Sequence, residues 1–323
     1  MRNGKSMKIA LFRCCMTSMG LARYETSSNA VLRELGIEFV NIKEFNCCGY
    51  PLRNLNFEAY LLSSARNLAL AERAGLDILT ICNCCYGSLK YAEHVLKKFV
   101  STREQINANL AAEGLKFSGT VSTKHLLGVL HDDLGVETIR KRLKKTLNGL
   151  RIATHYGCHL LRPKEVVGFD QGFQPVKFDA LVEATGAVSV PWTGKLDCCG
   201  SPLLGVNDEL SMDLAEKKLR NAHQGGAQCL TVTCPYCQIQ FGRIQRRIIE
   251  TRNFDTPVPC VLYPELLGLC LGIGREKLGL EEKIPAVVRA HLRDIEAQPA
   301  HADDNQYEPP PIPSTGGMPE VRT

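Results

Sequence analysis

The sequence lacks a long hydrophobic run. No stretch of its 323 residues approaches the ~18 apolar residues that a membrane-spanning helix needs. The basic start at residues 1–8 is followed by the apolar run Ile9–Phe12, which is too short for a signal peptide. We therefore expect a cytoplasmic protein with no membrane span.

Two further signals are missing. Lysine and arginine number 39 against 34 aspartates and glutamates, and no dense basic run is interleaved with aromatic residues, so we expect no nucleic-acid partner. Gly272–Gly274 opens a GxGxxG pattern, but Lys277 stands where the last glycine is needed, so no nicotinamide or flavin fingerprint is present. Any electrons that this chain uses must then come from another protein.

Cysteine, in contrast, is abundant and patterned. Ten of the 15 cysteines fall on a template that occurs twice: a lone cysteine, a Cys-Cys-Gly triplet and a CxxC pair. The first copy has gaps of 32 and 33 residues, and the second has gaps of 39 and 34. The template cysteines are Cys14, Cys47, Cys48, Cys82 and Cys85 in the first copy, and Cys158, Cys198, Cys199, Cys234 and Cys237 in the second.

Three kinds of metal site compete for these thiols, since a reducing cytosol disfavours a disulfide framework. A four-cysteine zinc site usually pairs two CxxC motifs ~15–20 residues apart; here 148 residues separate them, and the adjacent cysteines would have no role. The ferredoxin run C-x2-C-x2-C-x3-C-P does not occur. An iron–sulfur site with more than four thiolates fits best, and Gly49 and Gly200 would let the backbone pass close to it.

The elements predict an α/β protein, because apolar strands alternate with helical segments in both halves. The cysteines fall at the carboxyl ends of strands, which is the ligand-binding edge of open α/β sheets. We expect two duplicated domains, 1–150 and 151–296, each with parallel strands and flanking helices, and a disordered proline-rich tail at 297–323. Local patterns also predict a strand at 117–121, helix over 136–147, and helix capping by Thr17 or Ser18.

The doubled cysteine template resembles the CCG domain pair of the B-subunit family of heterodisulfide reductases over residues 8–270. The resemblance implies two noncubane [4Fe-4S] clusters, one for each copy of the template, with a thiol or disulfide substrate between them. The ligands are implied position by position: Cys14, Cys47, Cys48, Cys82 and Cys85, then Cys158, Cys198, Cys199, Cys234 and Cys237.

The resemblance also implies partners and a reaction class. The partners are the ferredoxin-like C subunit of the same complex together with its flavin-containing A subunit. The chain would be the catalytic subunit, reducing a disulfide or oxidising a thiol or sulfane-sulfur substrate such as protein-bound lipoamide. The alternative is a non-catalytic electron relay, as in thiol:fumarate reductase, succinate dehydrogenase or glycolate oxidase-like complexes. The motifs do not distinguish the two directions of the reaction.

His159 directly follows a template cysteine, and we hypothesise that it donates a proton to a leaving thiolate. Ordering of the loop or of a cluster sulfur is its other interpretation. The remaining cysteines divide into two sets. Cys15 and Cys84 adjoin template positions and are either spare ligands or structural thiols. Cys229, Cys260 and Cys270 lie in apolar runs, and we expect them to be buried as small hydrophobic side chains.

Overall fold

The computed structural model describes residues 8–18, 20–280 and 284–295. Its first half is built on a four-stranded sheet in which every neighbouring pair is parallel. The strands are β1 (Lys8–Phe12), β2 (Glu38–Val40), β3 (Ile78–Thr80) and β4 (Thr123–His125), in the order β2-β1-β3-β4.

The second half repeats this sheet, after the short strand β5 (Lys145–Thr146). The strands are β6 (Arg151–His155), β7 (Val188–Ser189), β8 (Cys229–Val232) and β9 (Cys260–Leu262), in the order β7-β6-β8-β9 and again all parallel. The two sheets therefore share one topology, which confirms the predicted α/β fold with duplicated parallel-strand units.

Helices flank both sheets. In the first half the α-helices are Cys15–Ser18, Ala22–Glu34, Phe57–Arg73, Asn83–Lys98, Val100–Leu110, Leu126–Gly128 and Val136–Arg140, with a π-helix at Val129–Gly135. In the second half they are Cys158–Leu161, Lys164–Val167, Lys177–Glu183, Asp208–Gln224, Pro235–Ile239, Gln245–Thr251, Tyr263–Cys270 and Ala286–His291, with a π-helix at Gln240–Ile244. Short 3-10 helices occupy Tyr50–Leu52, Ala111–Glu113, Ser201–Leu203 and Glu276–Leu278. The central strands β1, β3, β6 and β8 are buried almost throughout, because helices cover both faces of each sheet.

The duplication extends to helix capping. Helices Phe57–Arg73 and Asp208–Gln224 each contain 17 residues. Each helix follows an asparagine that caps it by accepting a hydrogen bond from a backbone N–H. The N–H of Ala59 donates to Asn56 Oδ1 at 2.9 Å, and the N–H of Leu210 donates to Asn207 Oδ1 at 3.0 Å. The two helices therefore begin in the same way, and their equal lengths allow them to be compared position by position.

The halves join where their CxxC segments meet. The buried hydroxyl of Tyr24 lies within hydrogen-bonding distance of the carbonyls of Ile81 and Thr233, the residues just before Cys82 and Cys234, and its one hydrogen is shared between them. Asn83 Nδ2 donates to a carbonyl of the other half, that of Tyr156, at 2.7 Å. The two CxxC segments thus share one buried hydrogen-bonded seam.

The end of the described chain returns to the first half. β10 (Arg293–Asp294) pairs antiparallel with β5, and Arg23 Nε lies 3.2 Å from the buried carboxylate of Glu265. The division at 150/151 stays a prediction, and the proline-rich tail lies outside the described residues.

Three local predictions are wrong. Residues 117–121 form a loop because Glu72 accepts backbone N–H groups there, and the sheet is instead completed by β4. The helix predicted over 136–147 ends at Arg140, since β5 pairs with β10. Thr17 and Ser18 lie inside the short helix Cys15–Ser18 and donate to carbonyls, so they do not cap the helix that begins at Ala22.

Candidate metal centre

Each half delivers its cysteines to the carboxyl edge of its sheet. Cys82 follows β3 and precedes the helix Asn83–Lys98, and Cys234 stands in the same place between β8 and the helix Pro235–Ile239. Cys14 and Cys158 follow the central strands β1 and β6. We call the five template cysteines of each half the first and the second cysteine group.

The first group is closely packed. The sulfurs of Cys14, Cys82 and Cys85 all lie within 4.8 Å of one another and are buried. Cys48 is buried against Cys85, while Cys47 is half-buried and neighbours the exposed Cys15. These five thiols form one continuous set.

The second group has the same form. The sulfurs of Cys199 and Cys237 are 3.6 Å apart, and a ring nitrogen of His155 lies within 4.8 Å of both. Cys234 contacts Cys237, and the half-buried Cys158 and Cys198 contact each other. The structure thus brings the predicted ligands of this half together.

The glycines of both CCG triplets are required by the backbone. Gly49 has φ +82° and Gly200 has φ +86°, and a Cβ atom at either would lie 2.8 Å from a helix carbonyl, that of Tyr60 or Ser211. The amide of Gly200 also donates to the sulfur of Cys198, at 3.4 Å. Each glycine therefore lets its cysteine loop pack directly onto the following helix.

Both halves line one cavity beside the second group. The first half contributes Tyr50, Asn83 and Cys84, and the second contributes Tyr236 and His159 in addition to its cysteines. The sulfurs of Cys82, Cys84 and Cys234 lie within 4.8 Å of one another, so they link the two groups across the seam. The cavity is where the two cysteine groups approach each other.

His159 is placed at this cavity. Its Nδ1 atom lies 3.6 Å from the sulfurs of both Cys84 and Cys158, and its ring packs edge-on against Tyr50 with centroids 5.0 Å apart. Burial lowers the pKa of His159. An imidazole thus faces thiols from both halves.

Contacts between neighbouring thiols shift their pKa values in opposite directions. Contact with Cys15 and then with Cys48 lowers the pKa of Cys47, while contact with Cys158 and then with Cys199 lowers that of Cys198. The pKa values of the partner thiols rise correspondingly. Each group therefore contains a thiol with a lowered pKa, and the thiolate is the form that binds metals.

Comparison with known proteins agrees with this arrangement. The family model of the cysteine-rich domain CCG matches residues 9–90 and 152–242. The B subunit of the ferredoxin/F(420)H(2)-dependent CoB-CoM heterodisulfide reductase of Methanosarcina acetivorans is 35% identical over 279 residues, which is 85% of this chain and 93% of that protein. The chain belongs to the heterodisulfide reductase B-subunit family.

Two other similarities place this family member in a wider group. The 8-methylmenaquinol:fumarate reductase membrane anchor subunit of Wolinella succinogenes is 33% identical over 278 residues, covering 86% of this chain and 96% of that protein. The crystal structure of a hypothetical protein from Helicobacter pylori has a TM-score of 0.69 at 17% identity, over 86% of this chain and 51% of that one. The chain thus spans about half of that structure, and this likeness concerns the fold alone.

The donor set fits an iron–sulfur group. All 15 cysteines, each within the described part of the chain, carry free thiols. Five template thiols in each group exceed the four that a tetrahedral zinc ion takes. Neither ring nitrogen of the buried His155 makes a well-formed hydrogen bond to a described residue, which is expected where a bound group supplies an acceptor. This CCG family member is accordingly an iron–sulfur electron-transfer subunit.

Within residues 8–18, 20–280 and 284–295, every helix is too short or too polar to cross a bilayer.

The sequence pattern assigned no functional role to two polar residues that the structure places at the second group. His155 ends β6 beside Cys199 and Cys237, and Lys218 is buried beneath the loop that precedes Cys198. Burial lowers the pKa of Lys218 to about 8, opposed by Asp197 and the nearby cysteines. The available signal was a lysine beside the apolar positions Leu214, Leu219 and Ala222 of an amphipathic helix.

The cysteines outside the template have different environments. Cys229 and Cys270 are buried, as expected for small hydrophobes. Cys260 is half-buried, and its thiol donates to Gln238 at 3.3 Å. Cys84 is buried in the cavity, whereas Cys15 is exposed at the first group.

Proposed function

We propose that the chain is the catalytic subunit of a heterodisulfide reductase-like complex, reducing a disulfide or oxidising a thiol or sulfane-sulfur substrate. The supporting observation is that two five-cysteine groups approach each other beside one cavity, lined by both halves. A site of this kind can hold a sulfur substrate next to two redox centres.

Each cysteine group would hold one noncubane [4Fe-4S] cluster, with all five thiols as ligands. The adjacent pairs Cys47-Cys48 and Cys198-Cys199 support this, because the two thiols of each pair lie in contact and could bind different irons of one cluster. The backbone at Gly49 and Gly200 would pass close to the cluster. Two bound clusters would exchange one electron each with the substrate.

The side chains of the cavity have separate tasks. Tyr50 and Tyr236, with ring centroids 6.1 Å apart, form apolar walls that restrict water around the substrate sulfurs. Reduction of a disulfide to two thiols consumes two electrons and two protons. We assign His159 as the donor of one proton to a leaving thiolate, because its ring lies within the cavity and faces thiols.

The electrons would come from partner proteins, the ferredoxin-like C subunit of the complex together with its flavin-containing A subunit. This is supported by the names of the relatives, which describe B subunits of heterodisulfide reductases or proteins like them, and by the incomplete GxGxxG pattern at Gly272. The complex would work in the cytoplasm, on a small thiol or disulfide or on a protein-bound lipoamide.

A second candidate is a non-catalytic electron relay within a fumarate reductase, succinate dehydrogenase or glycolate oxidase-like complex. The observation that favours it is the similarity to the Wolinella succinogenes fumarate reductase subunit. In a relay, both clusters would pass electrons to a partner and would not react with a sulfur substrate.

Direct reoxidation separates the two candidates. The isolated, cluster-loaded protein is reduced chemically under anaerobic conditions, freed of reductant and mixed with a disulfide, with a thioether of the same size as the control. Catalysis predicts that the disulfide alone reoxidises the protein and yields thiols. Equal stability of the reduced protein with both compounds would support the relay instead.

A further inference from the structure

The two halves differ at equivalent buried positions beside their cysteine groups. β1 and β6 each have five residues, and the first residue of each pairs with the outer strand of its sheet, β2 or β7. The last residue is therefore equivalent in the two strands: it is Phe12 in the first half and His155 in the second. An apolar ring in one half thus corresponds to an imidazole in the other.

The second difference lies on the helix that follows each CCG triplet. Helices Phe57–Arg73 and Asp208–Gln224 have equal lengths and equivalent caps, so their eleventh residues correspond. That residue is Asn67 in the first half and Lys218 in the second, and both are buried.

Asn67 and Lys218 do the same structural work. Asn67 accepts the N–H of Asn46 at 2.9 Å and donates to the carbonyl of Cys47 at 3.2 Å. Lys218 Nζ donates at 3.1 Å to the carbonyl of Asp197, the counterpart of Asn46 directly before the CCG cysteines. A neutral amide is thus sufficient to anchor such a loop, so the charge of the lysine is not needed for anchoring.

The charge of Lys218 acts on the second group. Only 3% of the residue is exposed, and its ammonium lies 4.8 Å from the centroid of the Trp192 ring. Cys198, Cys199 and Cys237 are near enough to interact with it electrostatically. Because solvent screens a buried charge weakly, this attraction persists at physiological ionic strength.

His155 acts on the same group. It is fully buried against the ring of Phe241, with centroids 5.1 Å apart, and neither ring nitrogen makes a well-formed hydrogen bond to a described residue, although the backbone of Lys195 is near. A ring nitrogen lies within 4.8 Å of the sulfurs of Cys199 and Cys237. Its N–H is therefore available to a sulfur at this site, and Phe12 offers none.

Both features favour the reduced state of a cluster at the second group. Reduction adds negative charge, which a nearby ammonium stabilises, and N–H donors to cluster sulfurs act in the same direction. We propose that the cluster of the second group has the higher reduction potential of the two, and that Lys218 and His155 set this difference. The inference rests on the proposed binding of two clusters.

The test is an anaerobic spectroelectrochemical titration of the full-length protein and four variants, with iron and sulfide measured on every sample. Lys218→Asn keeps an anchoring side chain that the first half already uses, and His155→Phe copies Phe12. Asn67→Lys adds the charge to the first group.

The wild type should show two one-electron transitions. We expect Lys218→Asn and His155→Phe each to lower the higher transition, and Asn67→Lys to raise the lower one. The shift expected for Lys218→Asn is a tenfold fall in the ratio of reduced to oxidised cluster at fixed potential, or about 59 mV for one electron. Lys218→Arg, which keeps the charge, should leave the higher transition in place.

The outcomes separate this inference from the proposed function. A wild-type protein that holds clearly fewer than about eight irons per chain would overturn both the inference and the proposed function. Full iron with unshifted transitions, or a shift in the lower transition for Lys218→Asn, would overturn the inference alone. Should Lys218→Asn lose iron, Asn67→Lys decides: a raised lower transition supports charge control, and an unmoved one contradicts it.

Discussion

At the scale of single residues, the CCG glycines combine a positive φ with close packing on a helix. Gly49 and Gly75 both have positive φ. A Cβ atom at Gly49 would lie 2.8 Å from the Tyr60 carbonyl, whereas a Cβ atom at Gly75 would have no neighbouring group within 4 Å. Alanine substitutions at these two positions therefore separate the effect of backbone strain from the effect of disturbing the packing of the cysteine loop.

We expect Gly49→Ala to remove the first cluster, because the loop must move off the helix and carry Cys47 and Cys48 with it. The iron content should fall by about half, from about eight to about four per chain. The matched control Gly75→Ala should cost about 1 kcal/mol of stability and keep its iron. Full iron in Gly49→Ala would contradict this role of the glycine.

His159 gives a prediction about turnover. We expect His159→Gln to slow disulfide cleavage by the reduced protein roughly 100-fold, within the usual contribution of a positioned acid. Iron content and the redox transitions should stay as in the wild type, because the residue is not a proposed ligand. An unchanged rate would rule out proton donation and leave His159 as an ordering residue of its loop.

At the scale of elements, the helix Ala22–Glu34 ties the two CxxC segments together through Tyr24. Its hydroxyl is shared by the carbonyls that precede Cys82 and Cys234, so one buried side chain fixes the spacing of β3 and β8 at the seam. We therefore expect loss of this contact to change the geometry of both cysteine groups.

We expect Tyr24→Phe to lower the free energy of unfolding by about 1–3 kcal/mol, since buried carbonyls lose a donor. Tyr263→Phe is the control, because its buried hydroxyl donates at 2.9 Å to the carbonyl of Leu181, within the second half. Anaerobic urea titration should find both variants weakened. Only Tyr24→Phe should alter the EPR spectrum of the bound clusters, and an unaltered spectrum would contradict coupling through the seam.

Much of the element order followed from local patterns. The strands that precede Cys14, Cys82, Cys158 and Cys234 follow from the sequence because a short apolar run ends shortly before each of these residues. The loop at 117–121 was mistaken for a strand, since the carboxylate that satisfies its amides belongs to Glu72, far away in sequence. Apolar composition alone does not reveal such a long-range partner.

At the scale of the whole molecule, the repeat predicted two equivalent units but not how they differ. The spacing of the cysteines showed which residues correspond, and the structure brings those residues together in each half. His155 and Lys218 gave no comparable signal, because their importance depends on tertiary contacts with the second group. The cavity between the halves likewise depends on the packing of two sheets and could not be located from either repeat.

The seam also relates the overall fold to the proposed chemistry. Asn83 reaches across to the carbonyl of Tyr156, and Gly157 leaves the space for it, since a Cβ atom there would lie 2.4 Å from the Asn83 amide nitrogen. Close approach of the halves brings the sulfur of Cys82, from the first group, within 4.8 Å of the sulfurs of Cys84 and Cys234, which line the cavity. Under the proposed function, two clusters held there would supply the two electrons that one disulfide substrate needs.

The most direct measurement is quantification of iron and acid-labile sulfide after anaerobic purification, with EPR recorded after partial oxidation in the presence and absence of a thiol. We expect about eight irons and about eight sulfides per chain, with a signal that changes when thiol is added. Zinc without sulfide would contradict the iron–sulfur assignment. About four irons would contradict two clusters, because one complete cysteine group would then be empty.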